Sequence, residues 1–345
     1  MSENNKSRSI KNTTLKGVED AKKLDFKAIL NNIVRNHNYI FSLFALIIVG
    51  QIANPNFLKF SNIMTLMRSA SILGVLALGM TLVILIGQID LSVGSMLALV
   101  GAVSVGVYNT TNNILYTLLF CLAFGFVLGV FNGIFVGKLK IAGFVVTLAT
   151  LAGYRSLTIQ LGQGGPLLVN VDYYYGRLRE IGYGQFYGLP ILVLVFIVAT
   201  IAVWVLLTKT KFGRYVYAVG SNARAASLTG VKVDHIQILV YGLSGLLAGL
   251  AAFLYISRMG SVDTATAARA LETDAIAAVA IGGVSMAGGK GYIQGTFFGA
   301  IILYSINTIL TSLGVPAFVN DLIKGILILT AVVLQQLIRR NKDES

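Results

Sequence analysis

Long apolar runs separated by short polar stretches set the pattern of this chain. Seven runs have the length and content of a membrane-spanning helix, at 39–53, 67–87, 115–136, 189–207, 236–255, 293–313 and 318–337. Three more, at 93–108, 142–161 and 274–286, are shorter or interrupted. A crossing takes about 20 mostly apolar residues, so the pattern predicts roughly ten crossings with both termini on one side. With the N-terminus inside, 19 of the 27 Lys and Arg residues fall on the internal side and 8 on or near the external edge. The external group is Lys59, Arg68, Arg155, Arg177, Arg179, Arg258, Arg269 and Lys324. This excess of basic residues inside favours cytoplasmic N- and C-termini.

The stretch 208–234 departs most from the apolar pattern. It reads TKTKFGRYVYAVGSNARAASLTGVKVD and carries Lys209, Lys211, Arg214, Arg224 and Lys232. Its alanine-rich middle, 222–228, predicts a short surface helix for a soluble partner to grip. Gly220 and Gly230 flank it and permit sharp turns at both ends. On the external side, 162–187 is the longest polar segment and holds the run Tyr173-Tyr174-Tyr175. It reads either as a landing surface or gate, or as an interfacial aromatic belt.

Composition sharpens the class. The 345 residues are 56% hydrophobic and 12% charged, with a mean hydropathy of +0.78; a soluble domain is about 25% charged. The expected fold is all-α: a polytopic membrane protein with a basic tail at 1–37, a transmembrane domain at 38–338 and a short tail at 339–345. The net charge of +13 is spread over the N-terminal tail and loops of one side, which is the distribution of an oriented membrane protein and not a nucleic-acid footprint. The tail has no apolar core with a cleavage site, so no cleaved signal peptide is expected. Cys121 is the only cysteine and lies within an apolar run, which removes intrachain disulfides and thiolate metal sites. His37 and His235 read as solvated residues at membrane edges, so no metal site is expected.

Glycine marks close helix packing. Gly125, Gly129, Gly133 and Gly137 recur every four residues, and Gly245 with Gly249 and Gly295 with Gly299 repeat the spacing. Such stripes let backbones approach where lipid supplies no hydrophobic push.

Two acidic breaks interrupt the apolar pattern. In the first, Asp90 or Ser92 can cap a following short helix; in the second, Asp274 can do the same. Alternatively these residues line a polar pathway, as broken helices do in transporters. The run from Gly282 to Gly291 has the look of a phosphate loop but has Val284 and Gly291 where glycine and a hydroxyl residue are required. No catalytic constellation is evident, so no enzyme activity is expected.

Three segments together carry a resemblance. IDLSVGS at 89–95, FGRYVYAVGSNARAASLTGV at 212–231 and LETDAIAAVAIGGVSMAGGKG at 271–291 resemble the membrane-spanning permease of ribose-type ABC sugar importers. The similarity covers about 56–333 and leaves out the long N-terminal tail. It implies a permease in the inner (cytoplasmic) membrane, paired with a second copy. Its other partners would be a cytoplasmic ABC ATPase with two nucleotide-binding domains and an extracytoplasmic sugar-binding protein. ATP and Mg would be bound by the ATPase, with no cofactor in this chain. The family's coupling helix maps onto 220–230, and Gly213, Gly220, Asn222, Ala225, Ala226 and Gly230 are the expected coupling residues. Relatives often carry glycine where Ser221 stands and an acid where Ala223 stands. Asp90, Asn132 and Asp274 are the candidates for the translocation pathway. The alternative is a self-contained secondary transporter, which would need ionisable residues inside the membrane.

Overall fold

The computed structural model describes residues 38–343; the predicted 1–37 tail lies outside them. A helix occupies each of the ten predicted stretches. They are α1 (Asn38–Ala53), α2 (Phe60–Leu85), α3 (Val93–Thr111), α4 (Ile114–Gly137), α5 (Gly143–Leu161), α8 (Ile191–Lys209), α11 (Val233–Met259), α12 (Leu271–Ile281), α13 (Ile293–Ser312) and α14 (Ala317–Asp343). Seven of them, α2, α3, α4, α5, α8, α11 and α13, are long and apolar enough to cross a membrane among the described residues. The chain is an all-α, multi-pass membrane protein.

Punctuation follows backbone chemistry. Asn113 caps α4 by accepting from the Tyr116 amide at 3.0 Å, and Gly260 closes α11 with φ +65°. Helix α12 is only 11 residues long, because Gly283 turns the chain at φ +80°. It is therefore half a span, starting at Leu271 and stopping five residues short of the predicted end. Helix α14 runs through Arg339, Arg340 and Lys342 to Asp343, so most of the predicted C-terminal tail is helical.

The small β-structure sits at one end. Strand β1 (Pro166–Leu168) pairs antiparallel with β4 (Ser261–Asp263), joining the segment after α5 to the segment after α11. Between α5 and α8 come α6 (Val171–Tyr173), a π-helical turn (Tyr174–Leu178), α7 (Arg179–Tyr183) and the β2–β3 hairpin (Gln185–Phe186 with Leu189–Pro190). The hairpin turns on Tyr187 and Gly188, both at positive φ, the backbone a two-residue hairpin needs. The tyrosine run divides its work. The Tyr174 hydroxyl donates to the Arg258 carbonyl, Tyr173 packs against Tyr108, and Tyr175 is exposed.

Burial sorts the helices. In its most apolar window α2 is 94% buried within the protein, against 22% for α4 and α5. Helix α2 is thus an axle enclosed by other helices, while α4, α5 and α8 turn residues such as Leu119, Val127, Leu148 and Val198 outward. The separate glycine stripes prove to be two halves of one seam. A Cβ on Gly125 or Gly129 would strike the backbone of Gly245 or Tyr241, and one on Gly249 would strike Cys121. Helices α4 and α11 therefore touch backbone to backbone, the packing the four-residue spacing predicts. The second stripe does the same for α13, whose Gly295 and Gly299 lie against Gly282 and Ala278 of α12.

Candidate coupling surface and translocation pathway

At the end opposite the β-strands, the polar 208–234 stretch folds into two helices. The first, α9 (Lys211–Ser221), is amphipathic: Val216 and Val219 are buried while Lys211 and Arg214 face outward. The second, α10 (Ala223–Leu228), is the short surface helix expected from the sequence, and the Asn222 side chain caps it by accepting from the Ala225 amide at 2.9 Å. Arg224, Ala225 and Leu228 are exposed, Leu228 to 84%. Gly230 leaves the helix at φ +86°.

Gly220 does something other than turn the chain. It lies inside α9, and a Cβ there would collide with the Leu85 carbonyl at the end of α2. Around it two of the sequence motifs, 212–231 and 271–291, meet the end of α2 just before the third. The Gly289 amide donates to the Leu85 carbonyl at 2.9 Å, the Tyr217 hydroxyl donates to the Gly291 carbonyl at 2.9 Å, and Gly288 is stacked on Gly87 and the Gly220 carbonyl. The amphipathic α9 thus clamps the end of the axle helix to the glycine loop that ends α12. The glycine run that fails as a phosphate loop is one part of this junction.

Just beyond, the α2–α3 connection carries Asp90, wholly buried. The predicted cap is corrected here. Asp90 accepts from the Ser92 amide at 2.9 Å and the Ser92 hydroxyl at 2.6 Å, which shapes the connection rather than capping the first amides of α3. Ser92 in turn accepts from Asn132 Nδ2 at 2.9 Å, and the Tyr154 hydroxyl donates to Asn132 Oδ1 at 3.4 Å. Ser244 of α11 donates to the other Asp90 oxygen at 3.4 Å. Gln88 and Ile89 accept from Gly143, Thr147 and Tyr241. This network ties the connection to α4, α5 and α11 and fills the interior with satisfied polar groups.

Asp274 is not a cap either. Because α12 starts at Leu271, Asp274 stands within its first turn, and Lys324 of α14 reaches it at 3.1 Å. Both side chains are nearly buried, at 11% and 16% exposure. Lys324, counted from the sequence as an edge charge, is an interior ion-pair partner.

On the β1/β4 side of the Asp90 network lies a cavity of about 420 Å³ lined by Ser95, Leu151, Arg155, Ile159, Arg269 and Glu272, with Ala265 and Ala270 completing it. Sequence reasoning missed this cavity. By sequence alone Arg155 and Arg269 count with the external edge, and Asp274 stands out ahead of Glu272. No local signal marked the cavity, since the Glu272 carboxylate comes to occupy the space a Gly94 Cβ would fill only once the chain is folded.

The comparisons with known proteins bear on this arrangement. Residues 62–332 match the model of the family described as branched-chain amino acid transport system / permease component. The chain belongs to this permease family. The permease is 40% identical over 294 residues to the Ribose import permease protein RbsC of Bacillus subtilis, covering 85% of this chain and 90% of that protein. It is 38% identical to the RbsC of Escherichia coli K12 over 86% of this chain and 92% of that one. The L-arabinose ABC transporter permease protein AraH of Azospirillum brasilense is 34% identical over 84% and 83% of the two chains. No solved structure matches. Membership makes the permease a transport component, not an enzyme.

Among the expected coupling residues of the permease, Asn222, Ala225 and Gly230 are exposed on or beside α10. Gly213, Gly220 and Ala226 face inward, where they hold α9 and α10 against the bundle. Asp90 and Asn132 share one network, while Asp274 stands apart on the far face of α12.

Proposed function

We propose that this permease forms the membrane-spanning pathway of an ATP-driven importer for a monosaccharide or a similar small polar ligand. The reading is carried by the capped α10 rod, which is rooted through α9 and Gly220 in the junction that fixes the end of α2 and the loop of α12. A bundle driven by a separate ATPase needs such a lever, since force must enter it from outside. The named relatives import ribose or transport L-arabinose, and the sugar reading follows them over the broader family description.

In this mechanism a cytoplasmic ABC ATPase with two nucleotide-binding domains grips α10, holding ATP and Mg itself. Two permease copies face each other across the ligand's path, and an extracytoplasmic sugar-binding protein delivers the ligand. The protein then sits in the cytoplasmic membrane with both termini and α10 on the cytoplasmic side. The Asp90 network lies between the cavity and that side, so it acts as the inner seal. Closure of the ATPase pulls α10, and the Gly220 junction passes the pull to the seal and to α12.

The test is association and uptake with Ala225→Arg, which adds bulk and charge to the exposed face of α10. The permease should remain folded and in the membrane but lose its ATPase and its uptake together. Uptake that survives deletion of the ATPase and collapses with Asp274→Asn would instead establish a secondary transporter driven through the buried Asp274–Lys324 pair.

A further inference from the structure

The cavity beyond the Asp90 network has features that its position alone does not require. Arg155 and Arg269 bring guanidinium groups to it, Glu272 a carboxylate and Ser95 a hydroxyl. Arg155 spends Nη1 on the Ala267 carbonyl at 2.7 Å. No ion pair within 4.0 Å joins Glu272 to either arginine among the described residues. The cavity is also deep. Val262 of β4 lies at the level of Gly101 on α3, and Glu272 at the level of Gly94. Seven residues of helix separate the two, about 10 Å at 1.5 Å per residue. Charged groups at such depth are costly against hydrocarbon and mark a wet route or a binding site.

The roof is a strained loop. Ala268 and Ala270 both hold positive φ, at 55° and 62°, a conformation that non-glycine residues seldom adopt and that collects at functional sites. Behind this loop is a second cavity of about 180 Å³ that shares Arg269 and is walled by Tyr255, Arg258 and Thr266. The 264–270 loop is therefore a thin partition between two hollow spaces. Its N-terminal end is tied by Thr264 to the Gly165 carbonyl at 2.9 Å and by the β1–β4 pair, and its C-terminal end runs into α12 at Leu271.

We propose that the larger cavity is a binding station for a neutral polyhydroxylated ligand, held between the Glu272 carboxylate and the Arg155 and Arg269 guanidiniums beneath the 264–270 loop. The proposal rests on the sugar-import reading and adds the station and its residues. A carboxylate only accepts and a guanidinium only donates, so together they serve both halves of each sugar hydroxyl with charge-assisted bonds. The volume suits a single small ring, since ligand pockets begin at about 300 Å³. Glu272 at the floor repels a phosphate placed against it, but the two guanidiniums leave the lining one net positive charge, so the sugar phosphate is the competitor the experiment separates. Gly94 is required because any larger residue would displace that carboxylate.

The experiment uses full-length permease in proteoliposomes with its ATPase and binding protein, supplied with radiolabelled D-ribose or L-arabinose. Glu272→Gln and Arg269→Gln should each slow uptake about tenfold, the difference between a charged and a neutral partner, while Gly106→Ala, in open space on α3, transports as the parent does. A parallel measurement reads occupancy without transport. The Ala265→Cys variant in nanodiscs is labelled with a neutral thiol reagent, and the sugar that is transported should slow the labelling, an effect Glu272→Gln removes. Cys121 is buried and stays silent. If the unaltered complex takes up neither sugar, the import reading fails first. If it does, but both variants transport normally, or the sugar gives no protection, the station is overturned. Stronger protection by ribose 5-phosphate than by ribose would overturn the neutral-ligand assignment.

Discussion

Replacing Gly220 by alanine puts one methyl group where α9 meets the end of α2. The added Cβ would overlap the Leu85 carbonyl oxygen and sit 2.7 Å from the Gly289 amide nitrogen, both backbone atoms that no rotamer change can move. Overpacking of this kind costs about 1–3 kcal/mol. If the junction opens to relieve it, the 2.9 Å bond from Gly289 to Leu85 is lost as well, about 1 kcal/mol more. Alanine recovers up to about 1 kcal/mol as the better helix former. The net penalty is about 1–3 kcal/mol, a change of roughly 5- to 150-fold in any equilibrium that depends on the closed junction. The measurement is ATP hydrolysed per sugar transported in proteoliposomes, beside thermal stability of the purified variant. Gly220→Ala should hydrolyse ATP while transporting several-fold less, because α10 still binds but no longer pulls; Gly106→Ala should match the parent in both. Unchanged stoichiometry for Gly220→Ala, with the protein present in the membrane, would refute the lever.

The Asp274–Lys324 pair should show the asymmetry of buried charges: Lys324→Met leaves Asp274 stranded and destabilises by about 3–5 kcal/mol, and adding Asp274→Asn restores much of that, as thermal unfolding in detergent would register. Gly129→Val would drive its side chain into the backbone of α11, so the folded yield in membranes should drop sharply, whereas Gly325→Ala, which meets nothing within 4 Å, should leave it unchanged. Asp263, outside the spans, is held below the ordinary carboxylate range by bonds from Thr266 and the Ala265 amide. A depressed folded pKa contributes stability above the unfolded value of about 3.9 and loses it as pH falls through the folded one. Asp263→Ala should therefore flatten the acid limb of a melting-temperature profile below about pH 4 and leave neutral pH behaviour to the lost turn bonds alone.

The apolar runs, the glycine spacing and the alanine-rich 222–228 stretch were readable because each depends on neighbours in sequence: helix length, a four-residue face, an asparagine cap. What escaped depends on contacts between distant segments. Gly220 looks like a turn residue until Leu85 and Gly289 are brought against it. Arg155 and Arg269 count as edge charges until α5 and the 264–270 loop are folded around one cavity. Asp274 passes for a cap because nothing local reveals Lys324, fifty residues on. The half-length of α12 could have been read from Gly282-Gly283, but the apolar residues on either side concealed it.

The enclosed α2 has a bearing on how the molecule is made. Ribosomes release this hydrophobic rod into lipid early, yet in the finished protein it scarcely meets lipid, and its Thr81 hydroxyl bonds Thr296 on α13 at 2.7 Å. More than two hundred residues must be synthesised between those partners. A nascent chain halted before Ile293 would leave that threonine without its distant partner, in a half-built assembly that quality-control proteases can recognise.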